Sequence, residues 1–161
     1  MKPHPTNILA ALLALSFAGT AYAQITLRGL TSVDVSVLID ETGCKNADPG
    51  PGLTEEAVRT DIEVKVREAG IRIEHNAATP YLLATIDLCR IASSVDLSLS
   101  EQVILSRVGG MVRATTWGTG FIGQKLGASD IREEIRDATS KFVNQWLADN
   151  VPEPPKPTGK L

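Results

Sequence analysis

The sequence predicts an α+β fold, a two-layer sandwich whose mixed, mostly antiparallel five-stranded sheet carries two helices on one face, in the order β-α-β-β-β-β-α. Three observations predict it. Residues 32–40 alternate apolar and polar side chains with a period of two, and residues 54–69 and 130–149 carry apolar stripes at helical spacing. Between the helices, a Gly109-Gly110 pair joins two long alternating segments.

The first 23 residues stand outside this fold. Lys2 gives a basic start, Ile8 to Phe17 an apolar run, and Ala21 and Ala23 are small residues around Tyr22, which together make a secretory leader cleaved after Ala23. The apolar run is about half of the ~20 residues that span a bilayer. No second apolar stretch follows, so no transmembrane segment is expected after cleavage, and no cysteine follows the Ala-Tyr-Ala site to accept a lipid. The expected mature chain, periplasmic or secreted, comprises a single domain over 24–150 and a flexible Pro-rich tail over 151–161. Loss of Lys2 leaves 15 basic against 19 acidic residues, a net charge of −4, which argues against binding to nucleic-acid phosphates. The five remaining aromatics, Tyr81, Trp117, Phe121, Phe142 and Trp146, are too sparse to stack a row of bases.

The first strand, Ser32 to Asp40, sets Val33, Val35, Val37 and Ile39 on one face and Ser32, Asp34 and Ser36 on the other. A Gly/Pro/Asn/Asp-rich loop, Glu41 to Gly52, ends it. Thr54 caps the first helix, Leu53 and Val58 have staple spacing, and Val58, Ile62, Val66 and Ala69 form the buried stripe up to a stop at Gly70. On the wet side Glu55 with Arg59, Asp61 with Lys65 and Glu63 with Arg67 are spaced as i,i+4 pairs.

A second strand, Ile71 to His75, follows the helical crossover and is expected parallel to the first, with Ile71 and Ile73 inward. After a turn over Asn76 to Pro80, a third strand from Tyr81 to Arg90 is expected to return antiparallel, burying Leu82, Ala84, Ile86 and Leu88 and turning Thr85, Asp87 and Cys89 outward. The fourth, Val95 to Val108, buries Val95, Leu97, Leu99, Val103 and Leu105. A two-residue turn at Gly109-Gly110 would pair Ser106 with Arg113, Ile104 with Thr115 and Gln102 with Trp117 on the open face, and Leu105 with Ala114 and Val103 with Thr116 inside. A bulge near Glu101 or Gly118 would reverse the face of Trp117. The last helix, about Asp130 to Asp149 with Ser129 as cap, sets Ile131, Ile135, Ala138, Phe142 and Trp146 against the same sheet face as the first.

Few motifs carry chemistry. Gly118-Thr-Gly-Phe-Ile-Gly123 has the G-x-G-x-x-G spacing of a pyrophosphate cradle, but no strand follows the next helix to complete a dinucleotide fold, so no cofactor is expected. His75, the one mature histidine, is the only base on which a hydrolase or lyase site would be built; at the polar end of a short strand a surface role is expected. Cys44, Cys89, His75 and Asp40 lack metal-ligand spacing, so no metal is expected. Cys44 and Cys89 are a candidate disulfide: export argues for it, the expected antiparallel third strand against it, and both states stay open. Trp117 has two readings as well, an apolar island on the open face or a sheet corner beneath the Gly118 to Gly127 loop.

Three stretches, Leu53 to Ile71, Ala114-Thr-Thr-Trp117 and Phe142 to Asn150, resemble a family of exported bacterial proteins of unassigned function. At fold level the element order is also similar to envelope domains such as LptE and the N-terminal domain of TolB, which implies action through partners and no catalysis. The functional expectation is an exported, non-catalytic domain that binds a protein or envelope component through the open sheet face around Trp117, Ile104, Arg113, Gln102 and Thr115. A small-ligand or lipid carrier, with a cavity between helices and sheet, and a small hydrolase built on His75 are the alternatives.

Overall fold

The structure, a computed structural model, describes residues 26–40, 51–89, 92–107, 109–124 and 127–150. The expected leader, Cys44 and the Pro-rich tail lie outside the described residues. Elements follow the order β1 (Ser32–Asp40), α1 (Glu55–Glu68), β2 (Arg72–Ile73), β3 (Tyr81–Leu88), β4 (Ala92–Leu105), β5 (Gly110–Gln124) and α2 (Ala128–Asn150). One mixed sheet, ordered β2-β1-β3-β4-β5, packs one face against both helices in a single apolar core, the two-layer α+β architecture that the patterning predicts.

The first helix forms as its sequence dictates. Thr54 Oγ1 accepts the Ala57 N–H at 3.1 Å, and Val58, Ile62 and Val66 are fully buried. Gly70, at φ +90°, takes the left-handed conformation that ends the helix, its N–H donating to the Arg67 carbonyl. The expected Asp61–Lys65 pair is replaced by a clamp between helices. Asp61 accepts two bonds from Arg132 (2.7 and 3.0 Å) and one from Arg136 (3.2 Å), while Lys65 donates to Ser140. Hydrogen bonding by Arg132 is the main reason the Asp61 carboxyl titrates below its usual range, and Asp61 in turn raises Arg132. A depressed carboxylate stabilises the fold above its unfolded pKa, near pH 4, and loses that contribution as pH falls through the folded value. Asp61→Asn is therefore expected to melt below the parent at pH 7 and to approach it as the pH drops below about 4. Melting curves that kept the same separation at pH 7 and pH 3 would contradict the clamp.

Two strands depart from expectation. β2 has two paired residues, extended by bonds from Arg72 N–H to the Thr31 carbonyl and from Glu74 N–H to the Val33 carbonyl. Because it ends beside the start of β1, residues 74–80 need only pass the N-terminal end of that strand to begin β3 on its other side. β3 therefore runs parallel to β1, from Asp34 opposite Tyr81 to Asp40 opposite Asp87, and not antiparallel as expected. The longer ladders, β3 with β4 and β4 with β5, are antiparallel.

The β4–β5 turn is longer than the glycine pair suggests. Leu105 pairs with Gly110, so four residues separate the paired ends, with Gly109 at φ +62°. Gln102, and not Ser106, faces Arg113, a slide of four residues that keeps each side chain on its expected face because four is even. A bulge between Leu99 and Ser100 then leaves Thr116 without a partner across the ladder and sets Trp117 opposite Leu99. This corrects the face of Trp117: it packs against the core, its ring meeting Phe142 edge-on at 5.2 Å and 69°. The strand continues to Gln124, so Gly118, Gly120 and Gly123 are ladder residues, and the loop expected over Gly118 to Gly127 is strand as far as Gln124. A side chain at Gly120 would come within 3.1 Å of Asp96 Oδ2 and 3.3 Å of the Val95 carbonyl, which explains that glycine without a phosphate.

The second helix begins at Ala128, ahead of the expected Ser129 cap, and Asp130 Oδ2 reaches back to the Gly127 N–H. Ile131, Ile135, Ala138 and Phe142 are buried, and Trp146 is half-buried. Its last turn clasps the segment that enters β1. Trp146 Nε1 donates to the Leu30 carbonyl (2.7 Å), Asp149 Oδ2 accepts the Leu27 N–H (2.7 Å), and Asn150 bonds both the Leu27 carbonyl and the Gly29 N–H. The Leu27 N–H is the main cause of a lowered Asp149 carboxyl. With Leu27 and Leu30 themselves buried, the two ends of the domain are held together.

Candidate functional site

Beyond Ser100 the sheet loses its third strand. The β3–β4 ladder ends at Tyr81 opposite Ser100, but β4 continues to Leu105 and is followed only by β5. Residues 101–105 and 110–114 thus form a two-stranded ribbon overhanging the body of the sheet. Ile104 and Met111 pair on its open face, 72% and 65% exposed, and Leu105 (43%) and Val112 (39%) lie on the opposite face. The expected burial of Leu105 fails here because among the described residues no helix or strand packs behind it. The open-face side chains run Ile104 and Met111, then Gln102 and Arg113, then Ser100 and Thr115, from tip to base. Four of the five expected binding residues therefore share the open face, Ile104, Arg113 and Gln102 on the ribbon and Thr115 at its base, and Trp117 is absent from it.

The base of the ribbon is tied down. Thr116 Oγ1 donates to Glu101 Oε2 at 2.6 Å across the bulge. The Arg113 guanidinium lies 4.7 Å over the Tyr81 ring and donates to the Ala77 carbonyl at 2.8 Å, linking β5 to β3 and to the 74–80 connector. These contacts hold the proximal end of a ribbon that two strands alone stabilise poorly.

Next to Arg113 the connector and the open face enclose a shallow pocket of about 630 Å³. Asp34 and Ser36 of β1 and Tyr81 and Leu83 of β3 form its floor, the connector its rim, and Arg113 its far wall. His75 Nδ1 meets Asp34 Oδ1 at 2.7 Å, and the imidazole is 66% exposed, the surface position expected of it. Asn76 Oδ1 accepts the Ala78 and Thr79 N–H groups, an Asx turn that shapes the rim. No group of three metal-ligating side chains occurs among the described residues.

Cys89 follows β3, half-buried, and there is no free cysteine among the described residues. The parallel course of β3 removes the topological objection to a bridge. Asp40 and Asp87 are paired, so Cys89 lies at the same end of the sheet as the C-terminus of β1, and Cys44 is four residues beyond Asp40, a chain reach of about 14 Å.

No family model and no curated protein matches the chain. Among solved structures, a PelC dodecamer from Paraburkholderia phytofirmans is 16% identical, covering 79% of this chain and 92% of its own, with a TM-score of 0.42. An uncharacterised protein is 9% identical (76% and 95% covered, TM-score 0.41), and a minor lipoprotein from Acinetobacter baumannii is 12% identical (75% and 93% covered, TM-score 0.32). Likenesses this distant carry no inference of function. None of the three is LptE or TolB, and the similarity to those domains stays an expectation of the sequence.

Proposed function

We propose that the protein is an exported, non-catalytic binding domain that holds a protein partner of the cell envelope through the β4–β5 ribbon. The observation that carries this is the overhang: four large apolar side chains, Ile104, Leu105, Met111 and Val112, stand in solvent on both faces of one ribbon tip. Exposed apolar clusters on a soluble domain mark contact sites, and a ribbon clad on both faces suits insertion into an apolar groove. Export is supported by the leader features of residues 1–23, and among the described residues no helix is long and apolar enough to cross a membrane.

The hydrolase alternative keeps one observation, the contact of His75 Nδ1 with Asp34 in a pocket that Ser36 and Tyr81 also line, the orienting bond a histidine base uses. The space between the layers that a carrier would need is filled by Val58, Ile62, Leu97, Leu99, Ile135 and Phe142. The test is a double variant, Ile104→Ser with Met111→Ser, in cells where the protein is crosslinked to its envelope partner. Crosslinked complex is expected to fall at least tenfold while the melting temperature stays near that of the parent, as surface substitutions usually leave it. Undiminished complex would contradict the proposal.

In the same compartment Cys44 and Cys89 are expected to be bridged, supported by the shared end of β1 and β3. The expected result is a denatured, unreduced protein that takes up no maleimide, then two equivalents after reduction; labelling before reduction would refute the bridge.

A further inference from the structure

The pocket beside the ribbon has a chemistry of its own, independent of what the ribbon tip holds. Among the described residues, the one Arg or Lys that lines it is Arg113, with no carboxylate partner among them, and its guanidinium is positioned by the Tyr81 ring beneath it and by the Ala77 carbonyl on one of its five N–H donors. An arginine ordered in this way has already lost most of the rotamer freedom that a binding event would otherwise cost. Its remaining donors form the planar fork that matches two coplanar anionic oxygens.

The rim adds a second donor. Because the Asx turn occupies Asn76 Oδ1, the amide Nδ2 is the end of that side chain left for a ligand. On the floor, Leu83 offers an apolar surface and Ser36 a hydroxyl. Across from Arg113 lies Asp34, whose charge is engaged by His75 but still repels a second negative charge brought into the site. The balance therefore favours one planar negative charge over two. A volume of about 630 Å³ lies within the range of roughly 300–1,000 Å³ usual for small-molecule sites.

We propose that this open-face pocket binds a small monocarboxylate, its carboxylate forked on Arg113 and hydrogen-bonded by Asn76, its body resting on Leu83. The site is assembled from three strands and a connector, and its determinant is the Arg113–Tyr81–Ala77 arrangement.

The test is an amide-detected NMR titration of the folded, isotope-labelled chain with three probes: N-acetylalanine, its uncharged amide, and methyl phosphate. N-acetylalanine is expected to shift the resonances of residues 76–83 and of Arg113 saturably below about 20 mM, with the amide and methyl phosphate at least tenfold weaker. Arg113→Gln should abolish the saturable shifts. Arg113→Lys, which keeps the charge without the fork, should weaken them at least threefold. The Ile104→Ser, Met111→Ser variant should titrate like the parent, which separates this site from the ribbon tip. Equal binding of the amide, equal or tighter binding of methyl phosphate, saturable shifts in Arg113→Gln, or no saturable shift with N-acetylalanine would each overturn the proposal.

Discussion

Phe142→Ala is expected to destabilise the domain by about 3–5 kcal/mol, the usual cost of emptying a fully buried aromatic site. For a domain of this size that corresponds to a loss of roughly 10–20 °C in melting temperature. Phe142 stands where α2 crosses the bulged region of β5, and its ring is the face against which Trp117 rests. Leu99 and Ile135, buried in the same core, are held by their own strand and helix, which limits collapse into the space left behind. Differential scanning calorimetry checks this directly, and a loss below about 1 kcal/mol would mean that α2 does not pack as described.

Trp117→Ala is expected to cost about 3 kcal/mol, the low end of the range for a large aromatic because the side chain is half-buried. The same variant should leave partner binding intact at temperatures where it remains folded. If Trp117 stood on the open face, the opposite pattern would hold, with unchanged stability and lost partner. A double-mutant cycle with Phe142→Ala is expected to return a coupling of about 0.5–1.5 kcal/mol for the edge-on ring pair.

The contrast between these residues shows what was legible in the chain. Where an element packs one face against the core along its whole length, its pattern specified it. Val33, Val35 and Val37 bound β1 without error, and Thr54, Val58, Ile62, Val66 and Gly70 defined α1 from cap to stop. Register and direction were less legible, because both depend on contacts distant in sequence. The parallel course of β3 follows from the brevity of β2, which nothing in Ile71 to His75 announces. The bulge at Thr116 is one extra residue in a stretch of Thr and Gly whose alternation continues on either side of it. Four of the five expected contact residues shared a face because the register error was even; Trp117 was lost because the bulge made the remainder odd.

The pocket was illegible for a different reason. Asp34, His75, Tyr81 and Arg113 come from three strands and a connector, and the parallel placement of β3 beside β1 is what gathers them. The clasp of Asp149 and Asn150 on Leu27 and Gly29 likewise joins the two ends of the domain across 121 or more residues. The one sequence-level hint was chemical: a polar Asp-Asn pair closing an amphipathic helix.

The central claim, that the ribbon is the contact surface, is tested most directly by site-specific photocrosslinking in intact cells. A photoreactive residue is placed in turn at Ile104, at Met111 and, as a control, at Leu38, an apolar residue that is also exposed on the open face but lies away from the ribbon. Discrete adducts with the same protein from Ile104 and Met111, and none from Leu38, are the predicted result. An adduct from Leu38 with silence at both ribbon positions would place the contact elsewhere on the sheet and contradict it.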